Sequence, residues 1–429
     1  KERQPKMTFG RALACIIGLV IVLCLGFAVI GFDTKVTFLL ASIVVGIFLV
    51  AYGFKLDQVM TWYADGGRSS VDLILILMSV GTVIGTWMAS GAVPTIVYYG
   101  LKMLTPTSFM IIGFLLCCIV SFFIGSSYST LATLGVAFIG IGTGLGMNLG
   151  LVGGMVLSGA MFGDNLSFIS DTTIVATRTQ GCNMNDKFKV NIRIALPIAI
   201  LTGFLYVLIG NGVGSGYETG PIEWVKVLPY LIVLITAICG VNVMMVLIVG
   251  IILSGIVGLL TGGFDIWGWN ASMGLGITNM GELIIVTLLA GGMLEMIRYN
   301  GGIDWIILKL TSHIRSAKGA EGSIAALISF ANLCTANNTI ALIMAGPIAK
   351  DIADRFKIDP RRSASLLDIF SCFIQGIIPY GAQLLMAAGL GHVSPIEIMQ
   401  YLYYPYLLGL GALLAIAFNY PRKYSLNKV

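Results

Sequence analysis

Eleven consecutive residues, Gly163-Asp164-Asn165-Leu166-Ser167-Phe168-Ile169-Ser170-Asp171-Thr172-Thr173, put two carboxylates, an amide and four hydroxyls into a chain dominated by hydrocarbon. A charged side chain near a bilayer centre costs at least roughly 2.5–3.5 kcal/mol, so such residues at that depth read as an ion or substrate site. Asp164 and Asp171 stand seven apart, about two helical turns, and would share a face of an unbroken helix. A break between them would gather both around one cavity. Further polar residues fall at comparable depth: Ser126, Ser127, Ser129 and Thr130, then Asn332, Thr335, Asn337, Asn338 and Thr339, then Gln375 and Gln383. The set is rich in oxygen and poor in soft donors, with no His among these positions and Cys334 alone. A hard monovalent cation such as Na+ suits it better than a transition metal. A carboxylate withdrawn from water favours its neutral form, and a bound cation favours the charged one. One acid can then hold Na+ or H+ but hardly both, which is sufficient for exchange. The expected cation or substrate set is Asp164, Asn165, Ser167, Ser170, Asp171, Thr172, Thr173, Ser127, Ser129, Asn337, Asn338, Thr339 and Gln383. Asp164 and Asp171 would hold Na+ and couple it to protons, and no cofactor is expected.

The elements that position these residues are membrane spans. Only 10% of the 429 residues are charged and 57% are apolar, whereas a soluble domain carries about 25% charged residues. Long apolar runs recur and alternating ten-residue segments do not, so the spans are helical. The net charge of +5 sits mostly in loops, where it bears on orientation rather than on nucleic acid. The first apolar run follows Lys1, Arg3, Lys6 and Arg11 without a small-residue cleavage site, and it reads as a retained first helix. The eight cysteines are scattered, with no C-x-x-C, and read as small buried hydrophobes.

Apolar runs at 11–31, 36–54, 72–90, 194–212, 225–240, 242–262, 283–297 and 401–420 are ordinary span candidates. Runs 108–125 and 129–145 are joined by Gly125-Ser126-Ser127-Tyr128-Ser129, and runs 322–334 and 338–349 by Thr335-Ala336-Asn337-Asn338. The second pair is too short for two crossings, so both pairs read as re-entrant hairpins with polar tips. Segments 151–177 and 363–390 are long but interrupted, at Gly163–Ser170 and at Gln375–Gly381, and read as broken crossings. Irregular backbone at that depth survives only against protein or a water-filled cavity.

An internal repeat appears at an offset of 210: Asp72-Leu73-Ile74 matches Glu282-Leu283-Ile284, Gly81 meets Gly291, Gly91 meets Gly301, Ser127 meets Asn337 and Ser129 meets Thr339. Further on, an offset of 212 sets Asp171 over Gln383. Loop 178–193 carries Arg178, Lys187, Lys189 and Arg193, and loop 350–362 carries Lys350, Arg355, Lys357, Arg361 and Arg362, while the loops matching them carry no Lys or Arg. Basic short loops stay cytoplasmic, so matching loops lie on opposite sides. The expected architecture is an all-α polytopic membrane protein of two inverted repeats, residues 1–213 and 214–429. Each repeat has five transmembrane helices, a re-entrant hairpin and a broken helix, and both termini are cytoplasmic.

Other residues carry less. Asp72 and Glu282 read as helix caps, and Glu295 with Arg298 as an intrahelical pair. Asp368 could be structural or functional. His313 and His392 fall in loops. Trp62-Tyr63, Trp267/Trp269 and Tyr401/Tyr403/Tyr404/Tyr406 read as interfacial anchors. No Lys or Arg is expected at mid-depth, which favours an inorganic cation over an organic anion. An intramembrane protease is disfavoured: Asp171 is too close in sequence to Asp164 to come from a facing helix, and no H-E-x-x-H occurs.

Gly81-Thr82-Val83-Ile84-Gly85-Thr86-Trp87, Gly125-Ser126-Ser127-Tyr128-Ser129-Thr130 and, above all, residues 163–173 resemble the NhaC-type sodium/proton antiporter family. The third stretch is similar to that family's G-D-x-x-S-P-x-S-D-T-T run, with Phe168 in place of the proline. The resemblance covers about residues 10–420. It implies a sodium-linked antiporter of the plasma (inner) membrane with Asp164, Asp171 and nearby hydroxyls as cation ligands. It also implies a scaffold and a moving transport block of the elevator type, and a homodimer. The family includes exchangers of carboxylates such as malate and lactate, so a sodium-coupled exchanger of a small organic acid or amino acid is the alternative reading. The expected partners are sodium, protons and the lipid bilayer, with such a carboxylate in the alternative reading and no nucleic acid.

Overall fold

The computed structural model describes residues 8–211, 223–299, 309 and 312–424, whose regular elements are all helices, with no strand among them. The basic residues Lys1, Arg3, Lys6 and Lys428, Gly301, and the 213/214 boundary between the expected repeats lie outside the described residues.

The first half runs α1 (Phe9–Cys24, extended by a π-helical turn to Ile30), α2 (Thr34–Ala51), α3 (Leu56–Ser69), α4 (Val71–Ser90), α5 (Ala92–Met103), α6 (Pro106–Ile124), α7 (Ser127–Gly144), α8 (Leu149–Leu166), α9 (Asp171–Gln180) and α10 (Met184–Ile209). The second runs α11 (Leu228–Ile238), α12 (Val243–Leu260), α13 (Ile266–Asn279), α14 (Gly281–Tyr299), α15 (Ala317–Thr335), α16 (Asn338–Arg355), α17 (Pro360–Ile377), α18 (Ala382–Gly391), α19 (Pro395–Met399) and α20 (Tyr403–Ala417). Among the described residues, six helical segments are long and apolar enough to cross a membrane, or eight when each bent pair, α3–α4 and α13–α14, is one span. In that count α8–α9 and α17–α18 each pass as one interrupted segment, Leu149–Gln180 and Pro360–Gly391.

The elements recur. Helices α3 and α4 return as α13 and α14 at an offset of 210, and from α6 to α9 the starts of α15 to α18 follow one position further. That extra position revises the alignment at the polar ends. The N-caps Ser126 and Asn337 now correspond, each accepting from the backbone N–H three residues on. Asp164 corresponds to Gln375, and Gln383 to Thr172 rather than to Asp171. Equivalent polar contacts repeat too: Ser121 Oγ donates to the Ala160 carbonyl, and Asn332 Nδ2 to the Ser371 carbonyl at 2.7 Å.

The two halves meet along their bent pairs. Gly66 lies against Gly291, Gly81 against Gly276 and Gly85 against Ser272. Numbers rise along one helix pair as they fall along the other, so the two run antiparallel. Gly66 and Gly276 are 210 apart, as are Gly81 and Gly291, so the contact maps onto itself when the halves are exchanged, as an isologous interface does. Only glycine permits backbones this close: a Cβ on Gly81 would lie 2.5 Å from the Gly276 carbonyl oxygen.

Three expectations change. The arms of the second helix–turn–helix pair, α15 and α16, have 19 and 18 residues, or about 27–29 Å at 1.5 Å per residue. The apolar runs underestimated them because α15 starts on polar residues and α16 continues through Lys350 and Arg355. Helix α10 starts at Met184, ten residues before the apolar run, so Lys187 is helical and not in a loop. Among the expected anchors, Trp267 is exposed, but Tyr404 is fully buried and Trp269 donates to Thr86 Oγ1 at 3.2 Å.

The basic connections gather on one face. The Tyr424 ring lies 4.8 Å from the Arg361 guanidinium and 5.6 Å from that of Arg193, and Lys318 donates to the Ala417 carbonyl. Buried Arg362 forks onto Glu321 (Nε–Oε1 3.3 Å, Nη2–Oε2 3.2 Å) beneath them.

Gly81→Val tests the antiparallel contact. Overpacking alone costs about 1–3 kcal/mol, and a carbonyl oxygen on a packed helix cannot turn aside, so the thermal midpoint of the purified protein in detergent should fall. An unchanged midpoint would mean that α4 and α13 do not touch at this point.

Candidate cation site

The interruptions in α8–α9 and α17–α18 are short, at 167–170 and 378–381, narrower than the polar stretches around them. Asp164 and Gln375 therefore sit in the last helical turns of α8 and α17 rather than in the breaks. Phe168, standing where the family's proline would be, does not prevent the break. Ser167 takes an extended backbone (φ −65°, ψ 139°) as the C-cap of α8, and the Phe168 ring packs on Phe188 and Phe122.

A helix ending inside protein leaves carbonyls without partners, and here side chains take them. Thr172 Oγ1 donates to the Asp164 carbonyl at 2.8 Å, and Ser170 Oγ lies 2.9 Å from that hydroxyl. The Asn165 carbonyl accepts from Lys187 Nζ at 2.8 Å and from Asn191 Nδ2 at 3.1 Å. Thr173 Oγ1 accepts from Lys187 at 2.7 Å, and Ser167 Oγ accepts from the Ile169 N–H.

The Asp164 carboxylate, 5% exposed, faces the turn between α6 and α7. Its Oδ1 accepts from the Ser127 N–H at 2.8 Å and its Oδ2 from the Ser127 hydroxyl. Asp164 thus caps α7 from a neighbouring helix, where the dipole favours an anion. Capping uses two of about four lone-pair directions and leaves two for another ligand. No described Lys or Arg forms a salt bridge with it. Ser127 Oγ also accepts from Gln383 Nε2 at 3.3 Å, Gln383 Oε1 accepts from Gln375 Nε2 at 2.7 Å, and the same nitrogen donates to the Ala336 carbonyl at 3.0 Å. Ala336 ends α15 in the left-handed region (φ 47°), as Gly125 ends α6 (φ 74°). One chain of hydrogen bonds therefore joins the two turns through both interrupted helices.

Around this chain lie amide oxygens that meet no donor among the described residues: Asn165 Oδ1, Asn191 Oδ1, Asn332 Oδ1 and Gln375 Oε1, all on side chains at most 1% exposed. Their amide nitrogens are already committed to acceptors, so exchanging O for N would only move the defect. Each orphaned acceptor costs about 1–3 kcal/mol, an expense that a hard cation would offset. No group of three or more His, Cys, Asp or Glu is placed to hold a metal ion among the described residues; the donors are one carboxylate, hydroxyls, amides and carbonyls.

The remaining expected residues separate. Asp171 opens α9 and is exposed, lining a cavity of about 330 Å³ with Ser126, Ser129, Thr133 and Asn242. Asp164 does not line that cavity, so the two aspartates do not share one. Asn337 is exposed on another cavity of about 240 Å³, with Ser70, Thr335, Glu295 and Arg298, the last two 3.6 Å apart. Asn338 accepts from the Thr339 N–H beside it, and neither Asn338 nor Thr339 joins the Asp164 chain.

Lys187, Asn191 and Asp368 were not in the expected set. Lys187 Nζ lies 2.5 Å from Asp368 Oδ2, the two side chains 1% and 0% exposed, and Asn191 and Asn165 donate to the same oxygen at 3.1 and 3.4 Å. A mid-protein cation is thus present, contrary to expectation. The available signal was the i, i+4 spacing of Lys187 and Asn191.

Interrupted, nearly all-buried helices joined through a polar core inside an apolar helical shell make this an integral membrane transporter. The profile of the Na+/H+ antiporter family matches residues 7–211 and 222–420, and the chain belongs to that family. It is 29% identical over 392 residues to the Na+/H+ antiporter NhaC of Alkalihalophilus pseudofirmus, covering 83% of each chain. It is 27% identical over 410 residues to the malate-2H+/Na+-lactate antiporter of Bacillus subtilis, covering 87% of this chain and 86% of that one. Superposition on the YdaH transporter of Alcanivorax borkumensis spans 97% of this chain and 100% of that one at 14% identity and a TM-score of 0.39, a likeness too remote to bear on the fold.

Gln375→Leu should leave the Ala336 carbonyl and Gln383 without their shared donor and lower stability by about 1–3 kcal/mol, read as the thermal midpoint in detergent. An unaltered midpoint would mean that the two turns are not bonded through Gln375.

Proposed function

We propose that the chain exchanges Na+ for H+ at Asp164. The observation that carries this reading is an enclosed carboxylate with no described cationic partner, beside buried amide oxygens that lack donors. Asp164 supplies the charge, and Ser127, Thr172, Asn165, Gln375 and Gln383 supply neutral oxygen nearby. Proton and Na+ compete for the same carboxylate, so each leaves as the other arrives. Asp171 and the hydroxyls Ser126 and Ser129 form the approach on one side. Glu295 and Asn337 form that on the other, with the Ser127–Gln383–Gln375–Ala336 chain as the barrier between them.

The two halves are inverted repeats, each with five crossings, a hairpin and a broken helix; the antiparallel glycine contact supports this. Helices α6–α9 and α15–α18 move as an elevator block against the interlocked α3–α4 and α13–α14. The clustering of Arg193, Arg361 and Tyr424 supports a cytoplasmic C-terminus, and with an even number of crossings the N-terminus lies on the same side of the plasma (inner) membrane. Exposed apolar helix faces leave room for a homodimer.

A small carboxylate as second cargo is the other reading. What favours it is Arg298 beside the N-terminus of α16 in one cavity, a setting that suits an anion. Lys187 does not contribute to it, because its three donors are taken.

In proteoliposomes, Asp164→Asn should abolish sodium-dependent proton flux. Asp171→Asn should raise the Na+ concentration needed for half-maximal flux without abolishing it. Lowering the pH should raise that concentration in the wild type, because protons compete for the site. At 100 times its Kd, Na+ should stabilise the wild type by about 2.7 kcal/mol and leave Asp164→Asn unaffected. Undiminished flux in Asp164→Asn would remove that residue from the mechanism. Flux that requires malate or lactate on the opposite side would replace the inorganic reading with the carboxylate one.

A further inference from the structure

The most deeply buried ion pair among the described residues, Lys187–Asp368, is not used by the antiport scheme above. Lys187 reaches from the first turn of α10 into the break between α8 and α9. It has three N–H groups, and three oxygens surround it: Asp368 Oδ2 on α17 at 2.5 Å, the Asn165 carbonyl at the end of α8 at 2.8 Å, and Thr173 Oγ1 at the start of α9 at 2.7 Å. Asn191, one turn further along α10, donates one amide nitrogen to both the Asn165 carbonyl and Asp368 Oδ2. Four helices are therefore tied at one point, on both sides of the break.

The two residues held by Lys187 each adjoin a residue of the ion site. Asn165 follows Asp164, and Thr173 follows Thr172, whose hydroxyl holds the Asp164 carbonyl. A change in the angle between α8 and α9 pulls the Thr172 hydroxyl away from the Asp164 carbonyl, in the same residue whose carboxylate meets Ser127.

We infer that Lys187 and Asp368 are positioning residues: a neutral, dry brace across the α8–α9 break that holds Asp164 in its ion-binding geometry and is not itself part of the transported charge. The inference rests on the reading of Asp164 as the ion site. A brace of this kind requires a neutral pair, not these two charges. Removing one partner strands the other as an unpaired buried ion, whereas replacing both removes the defect.

The test compares Lys187→Met with the double variant Lys187→Met/Asp368→Asn in the full-length protein. Thermal midpoint in detergent is measured first, then sodium-dependent proton flux in proteoliposomes over a range of Na+ concentrations. Lys187→Met should lower the midpoint and lose flux. The double variant should regain most of the midpoint and a maximal flux near wild type. Its KM for Na+ should stay raised by about tenfold or more, the size of effect seen when residues that orient metal ligands are replaced.

Three results would overturn the brace. One is a double variant with a wild-type midpoint and no flux at any Na+ concentration, since the pair would then act in transport itself. Another is a double variant as unstable as Lys187→Met. The third is a wild-type KM in either variant. A wild-type protein without sodium-dependent flux would sink the ion reading alone, and the thermal comparison would still decide the brace.

Discussion

A helix interrupted in the middle of a membrane protein must find partners for its freed backbone groups without water, and the centre of this molecule is arranged around that requirement. Three carbonyls in the last turn of α8 find their partners in different ways. Gly163 keeps a backbone partner in Ser167, Asp164 is served by the Thr172 hydroxyl, and Asn165 by Lys187 and Asn191. The first turn of α7 has the opposite need, for acceptors, and the Asp164 carboxylate meets it from outside the helix. The polar residues that look anomalous in a hydrocarbon-rich sequence are in large part the completion of broken secondary structure. That completion leaves over two lone-pair directions on Asp164 and the unpartnered amide oxygens.

The shell follows simpler rules. Its helices are apolar around most of their circumference, and the two halves touch where side chains are smallest, at Gly66, Gly81, Gly276 and Gly291. With lipid as apolar as leucine, close backbone packing rather than exclusion of water holds such helices together. The seam is self-complementary: the Gly66–Gly291 and Gly81–Gly276 contacts exchange when the halves are exchanged.

Much of this was legible in the sequence. Apolar runs gave most of the helices but passed over α3, α5, α13 and α19, and polar interruptions gave both breaks and both turns. The fixed offset gave the repeat, and the 163–173 stretch gave the family. Two of the failures share one cause: hydropathy reports composition, not direction. Lys187 looked like a loop cation because charges surround it in sequence, yet on α10 it points inward while Lys189 stays exposed. Asp164 and Asp171 looked like a pair because two turns separate them, but the break rotates Asp171 onto the cavity wall. The offset of 212 was one too large at the second break. No pattern in one sequence fixes where a helix ends to within one residue, and one residue decides whether Asp171 or Thr172 corresponds to Gln383.

The repeat is symmetric in backbone but not in chemistry, and the asymmetry follows from hydrogen-bond polarity. Asp164 and Gln375 hold equivalent positions, each two residues before the end of its helix. Asp164 faces the N-terminus of α7, which presents N–H groups and demands an acceptor. Gln375 faces the C-terminus of α15, which presents the Ala336 carbonyl and demands a donor. A carboxylate satisfies the first and an amide the second, and exchanging the two would set a carboxylate against a carbonyl and the negative end of a helix. The single ionisable group at the junction of the turns thus falls in the first half because that is where a helix start, rather than a helix end, meets the break.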